Sequence, residues 1–138
     1  MDQEKSLTLQ PATWRDEHAA LFRRALICDS LATPETLRRN VAAGVASLID
    51  VLDSSGQVLG AVVLRVERRD GGVVGFIDAG AGRLPFARGQ FPALIRALQG
   101  MFRGVDVYRV ETGRRSIIKQ FSRLGYKPSQ VTLDLAAV

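Results

Sequence analysis

Cysteine is all but absent from this chain. Cys28 is the single thiol, which excludes an internal disulfide and any cysteine-cluster metal site. It follows an apolar helical stretch and reads as a small buried hydrophobe. Histidine is equally scarce: His18 is the one imidazole, set among polar neighbours, and a surface ring is expected. With so few of these groups, the sequence offers no metal-ligand spacing and no Ser-His-Asp or Cys-His arrangement for nucleophilic catalysis. No apolar run comes near the roughly 20 residues that cross a bilayer, so no membrane partner is expected. Residues Met1-Asp2-Gln3-Glu4-Lys5 lack the basic-then-apolar start of a secretory leader. A reducing, cytoplasmic setting is the expectation that follows.

What remains is an ordinary globular composition, 46% hydrophobic and 24% charged over 138 residues. That length supports one core, and a single domain over residues 1–138 is expected. The net charge of +5 is unevenly placed. Residues 1–80 hold nine Lys/Arg and eleven Asp/Glu, whereas residues 81–138 hold ten against three. A C-terminal half this basic suits an anionic partner: a phosphorylated cofactor, nucleic acid, or an acidic protein surface.

Local patterns divide the chain into elements. Leu7 and Leu9 alternate with polar residues as a short strand. Thr13 and Asp16 predict a helix start, with Ala20, Leu21, Ala25, Leu26 and Ile27 as its apolar face. Thr33-Pro34-Glu35 predicts a second start, a capping hydroxyl followed by proline at the first helical position, and Gly44 a stop. Strands follow over Leu48–Leu52, Val58–Val66 and Val73–Ile77, separated by Asp53-Ser54-Ser55-Gly56 and by Asp70-Gly71-Gly72, both turn sequences. Pro92 could open a helix whose face is Leu94, Ile95, Leu98, Met101 and Phe102, ending near Gly104. Val105 to Val110 reads as a strand, Arg114 to Gly125 as an amphipathic helix with Ile117, Ile118, Phe121 and Leu124 on one side, and Val131 to Leu135 as a last strand. The order is α/β with a mixed sheet.

The strand, the helix ending in Leu124-Gly125-Tyr126 and the final strand resemble the C-terminal part of the GNAT N-acetyltransferase fold, and the element order matches that fold over nearly the whole chain. The resemblance implies a mixed, mostly antiparallel central sheet flanked by about four helices. It also implies acetyl-CoA, whose pyrophosphate would sit on backbone amides between the fourth strand and the next helix, where small residues let the chain approach. In this chain that loop reads Phe86-Ala87-Arg88-Gly89-Gln90-Phe91, with only Gly89 keeping the small-residue pattern. A second register uses Gly80-Ala81-Gly82-Arg83, with Arg83 or Arg88 on phosphate. Candidate cofactor contacts are therefore Gly82, Arg83, Arg88, Gly89, Gln90 and, at the start of the last helix, Arg114.

Acetyl transfer to an amine needs a base for the ammonium and an acid for the leaving thiolate. The tyrosine that resembling enzymes often place on the last helix is Phe121 here, which has no proton to give, and their asparagine is Arg114. Tyr108 is the remaining candidate acid. Asp78, at the end of the fourth strand, is the candidate base, with Glu111 second and Glu67 third. Two readings stand. The first is a non-catalytic binding or assembly module without acetyl-CoA, resembling small GNAT-like internal-virion and assembly proteins of tailed phages, which would place it in the virion. The second is an acetyl-CoA-dependent N-acyltransferase. The stripe Arg115, Lys119 and Arg123 would suit nucleic acid or an acidic protein equally.

Overall fold

A computed structural model of the protein describes residues 7–23, 27–28, 33–82, 90–110 and 122–123. Strand β1 is Thr8–Pro11, helix α1 Asp16–Phe22, β2 Ile27–Cys28, α2 Pro34–Ala42, β3 Ser47–Leu52, β4 Val58–Arg69, β5 Gly72–Gly82, α3 Gln90–Met101 and β6 Val107–Val110. β1, β3, β4 and β5 lie side by side and antiparallel. The second edge of β5 is shared, antiparallel to β2 and parallel to β6. The α/β class with a mixed, mostly antiparallel sheet is as expected. Of the helix expected over Arg114–Gly125, the described residues include only Ser122 and Arg123, which are helical and exposed. The expected final strand lies outside the described residues. No helix among them is long and apolar enough to cross a membrane.

The near-continuous apolar run of β4 follows from burial on both faces. Ala61 and Val63 point to one side and pack with Phe22 of α1 and Leu37 of α2. Val62 and Leu64 point to the other and pack with Leu94 and Leu98 of α3. Leu98 is 1% exposed, and burying a leucine this completely contributes about 1.5–3 kcal/mol.

Several local signals fold as read. The Thr33 hydroxyl accepts the Thr36 amide at 3.2 Å, and Thr36 returns the bond to the Thr33 amide at 2.8 Å, a reciprocal cap. Gly44, with φ +74, ends α2. Asp53 Oδ1 accepts the amides of Ser55 and Gln57 and the Ser55 hydroxyl, closing the β3–β4 turn. Asp70 and Gly71 join β4 to β5.

The first helix departs from expectation. Its cap is Arg15, not Thr13, it stops at Phe22, Ala20 is exposed, and Ile27 belongs to β2. The inward stripe is Trp14, His18 and Phe22, spaced by four, with Trp14 stacked on Phe22 at 5.8 Å between centroids. His18 is thus a core residue, 1% exposed, and the expected surface imidazole is wrong. Its partners come from outside its own neighbourhood in sequence. The Arg15 amide donates to His18 Nδ1 at 2.9 Å, so that nitrogen carries no proton and Nε2–H donates to Asp50 Oδ1 at 2.8 Å. The Arg15 guanidinium reaches Asp50 Oδ2 at 3.0 Å. Asp50, on β3, is buried and has both oxygens satisfied.

This network ties α1 to the sheet, and removing its carboxylate leaves an imidazole N–H and a guanidinium short of an acceptor. Asp50→Ala is expected to lower unfolding free energy by about 3–5 kcal/mol, as for other broken buried pairs. Urea unfolding of the variant checks this; a loss under about 1 kcal/mol would mean that the network adds little beyond packing.

Candidate functional site

Strand β5 changes partners part-way along, and the change is where the candidate site lies. Leu64 of β4 faces Ile77 while Val63 faces Ala79, so Asp78 is an extra residue with no β4 partner. Such a bulge twists the strand and redirects side chains. Before it, Val74 to Ile77 pair with Val107 to Val110 of β6. After it, Ala79 and Gly80 pair with Cys28 and Ile27 of β2. Gly80 and Gly82 are therefore strand residues, opposite Val62 and Gly60 of β4, and the expected phosphate loop over Gly80-Ala81-Gly82-Arg83 is corrected over its described part. On the facing strand, crowding demands glycine at position 60: a Cβ on Gly60 would stand 2.3 Å from the Ala81 carbonyl oxygen.

The bulge turns Asp78 toward Arg65 of β4. Arg65 Nε donates to Asp78 Oδ2 at 3.1 Å, and its second terminal nitrogen lies 3.3 Å from Oδ1. Arg65 also holds Glu67, and Glu67 accepts from Arg69 at 3.2 Å. Burial opposes the charge on Arg65, but the bonds and charges of Asp78 and Glu67 outweigh it and hold the guanidinium pKa above its ordinary value. Both candidate carboxylates on these strands are thus engaged by arginine, and Asp78 could take a proton from a substrate only if that pair opened.

Tyr108 lies on the opposite face of the sheet. Its hydroxyl is 3.3 Å from the Leu98 carbonyl and 3.2 Å from that of Phe102, at the C-terminal end of α3. Burial raises its pKa. Asp78 and Tyr108 are not brought together: one faces the α1 side and the other the α3 side. Gln90 is the first residue of α3. Arg83, Arg88, Gly89, Glu111 and Arg114 lie outside the described residues. Among the described residues no cluster of His, Cys, Asp and Glu could hold a metal.

Neither a family model nor a curated protein sequence matches this chain. Solved structures do. A ribosomal-protein-alanine N-acetyltransferase from Brucella melitensis biovar Abortus 2308 superposes with a TM-score of 0.67 at 14% identity, over 96% of this chain and 100% of that one. An aminoglycoside acetyltransferase from an uncultured soil metagenomic sample gives 0.64 at 18%, over 96% and 99%. An acetyltransferase from Trypanosoma brucei gives 0.61 at 15%, over 96% and 100%. The fold is that of the GNAT acetyltransferases.

At such identities the likeness is one of architecture, and whether acetyl-CoA fits must be asked of these residues. A GNAT cofactor site needs an opening between the strands here numbered β5 and β6, with amides facing it. The β5 edge just beyond its last pair with β6 is taken by β2 at Ala79 and Gly80. At the start of α3, Pro92 is the third residue and has no amide to offer. The described residues fit the cofactor poorly.

Sequence reasoning missed Arg65, Phe76 and Arg109. The guanidinium carbons of Arg65 and Arg69 lie 4.4 and 5.1 Å from the centre of the Phe76 ring, within cation–π range. One signal was available: Arg65, Glu67 and Arg69 alternate along a strand and so share a face.

The Tyr108 hydroxyl serves α3, and Tyr108→Phe is expected to cost about 0.5–1.5 kcal/mol in urea unfolding. Because burial raises this pKa, any contribution it makes is present below the ordinary tyrosine value of about 10. It is lost as pH rises through the higher folded value. A wild-type and variant pair of equal stability at neutral pH would show that the bond is inconsequential.

Proposed function

We propose that this chain is a non-catalytic binding module built on the GNAT fold, one that engages a protein partner and does not transfer acetyl groups. The observation that carries this reading is β2 lying on β5 at Ala79 and Gly80, on the edge an acetyl-CoA site would leave open. The engagement of Asp78 by Arg65 and the turning of Tyr108 toward α3 support it, since neither group is placed to move a proton in a shared cleft. The basic half of the chain favours an acidic protein surface as partner. The finer reading, an internal-virion or assembly protein of a tailed phage, rests on the resemblance carried by Leu124-Gly125-Tyr126.

A second reading, N-acetyl transfer from acetyl-CoA to an amine, is favoured by one feature. Among the described residues the parallel pairing of β5 and β6 reaches Ile77 and Val110, next to the Asp78 bulge. In that reading Asp78 is the base, and Asp78→Asn abolishes turnover.

Calorimetric titration with acetyl-CoA at low and moderate salt separates the two. The module reading expects no saturable heat, or weak binding that disappears with salt as surface charge pairing does. Saturable micromolar binding that survives salt would overturn it.

A further inference from the structure

We propose that His18 is a proton-operated latch for helix α1. The start of the helix is docked on the sheet while the imidazole is neutral and is released when the ring takes up a proton. This device operates in either reading of the function. His18 is the third helical residue of α1, the place from which a glutamine or glutamate commonly reaches back to the cap amide. Here the ring does so: Nδ1 accepts the Arg15 amide at 2.9 Å, while Nε2–H donates to Asp50 Oδ1 at 2.8 Å. The ring is 1% exposed, so solvent does not replace a partner that is lost.

An imidazolium donates from both nitrogens. Its Nδ1–H would meet the Arg15 N–H, donor against donor across 2.9 Å, and the cap amide would lose its acceptor. Asp50 attracts the added charge, but its second oxygen already receives the Arg15 guanidinium at 3.0 Å, and that guanidinium also holds the exposed Glu17. One buried carboxylate would then face two cations. The other charged groups do not relieve this. Asp16 stands exposed in the first turn. β1 sets the uncharged Gln10 opposite Asp50. Helix α2 turns Leu37 to this layer and keeps Glu35, Arg38 and Arg39 exposed. β4 and β5 bring Ala61, Val63, Ala79 and Ala81 to it, while their Arg65, Glu67 and Asp78 are bonded to one another. The docked form has no place for the proton and the opened form does, so acid favours opening.

Opening has its own reporter. Trp14, the single tryptophan, lies 5.7 Å from the His18 ring and 5.8 Å from Phe22 between centroids, and His18 is the single histidine. The test is a titration of the full chain from pH about 7.5 to about 5.5, spanning the ordinary imidazole value of about 6.5 and staying above the carboxylate range. A red shift of Trp14 emission and severalfold stronger acrylamide quenching are expected. Both should follow the same one-proton curve as the His18 ring and Arg15 amide resonances by NMR, with the amides of β4 and β5 in place. His18→Gln keeps an acceptor for the Arg15 amide and a donor for Asp50 but has no proton to gain, and its emission is expected to stay constant. Emission that does not move, a ring that stays neutral to the lowest pH, or a glutamine variant that responds to acid as the wild type does would each overturn the proposal. So would unfolding of β4 and β5 in the same step, or an unfolding free energy that rises as the pH falls, the sign of an imidazolium held better than the neutral ring. Should the glutamine variant fail to fold, the wild type decides: separate midpoints for the His18 ring and the Arg15 amide overturn the latch.

Discussion

One additional residue in β5 governs what the described part of the molecule can do. Without Asp78 as a bulge, the β4 register set by Leu64 and Ile77 would continue unchanged, and every side chain beyond it would fall on the opposite face. With it, Ala79 and Ala81 turn toward α1 and α2, whereas Ile77 turns toward α3. The two hydrophobic layers meet across the sheet because of this shift. The same residue divides the outer edge of β5, giving one part to β6 and the next to β2.

Helix α1 is fastened to the sheet by a polar device embedded in an apolar layer. His18 and Asp50 lie beside Phe22, Leu37 and Leu48 in the buried side of the sheet, and the acid of β3 holds both the imidazole and the Arg15 guanidinium. A buried carboxylate is costly unless its oxygens are satisfied, and here each has a donor. Before the bulge, the same side of the sheet carries a second ionic arrangement, Asp78 with Arg65, Glu67 and Arg69 laid over Phe76. Among the described residues, His18, Asp50, Glu67 and Asp78 are in this way used to hold strands and helices together. That is the physical basis for reading the chain as a scaffold that binds.

The fold was legible wherever a signal was local. Thr33 and Pro34 predict their own helix start because a capping hydroxyl acts on an amide three residues away. Asp70 and Gly71 predict their hairpin because the turn's backbone angles are set within it. The alternation of β3 and the apolar run of β4 report burial on one or both faces. The candidate site was legible only as a location near the end of β5. Gly80 and Gly82 read as a loop because glycine alone says that the backbone is free, and the strand that makes them part of the sheet, β4, lies some twenty residues away in sequence. His18 read as exposed for a related reason: the acids Asp16 and Glu17 precede it, and the carboxylate that satisfies its buried ring is on β3.

Sequence by itself determined the α/β class, the order of the described elements apart from β2, the start of α2 and the two strand turns, and the excess of positive charge after residue 80. Each depends on residues within about a helical turn or a strand pair, where the geometry is set by covalent connection. Tertiary structure decided which edge of β5 is covered, which carboxylates are bound by arginine, where Tyr108 points and that the Nε of Arg109 is buried without an acceptor. Those depend on register between strands far apart in sequence, and a shift of one residue, as at Asp78, reverses the face on which every later side chain stands.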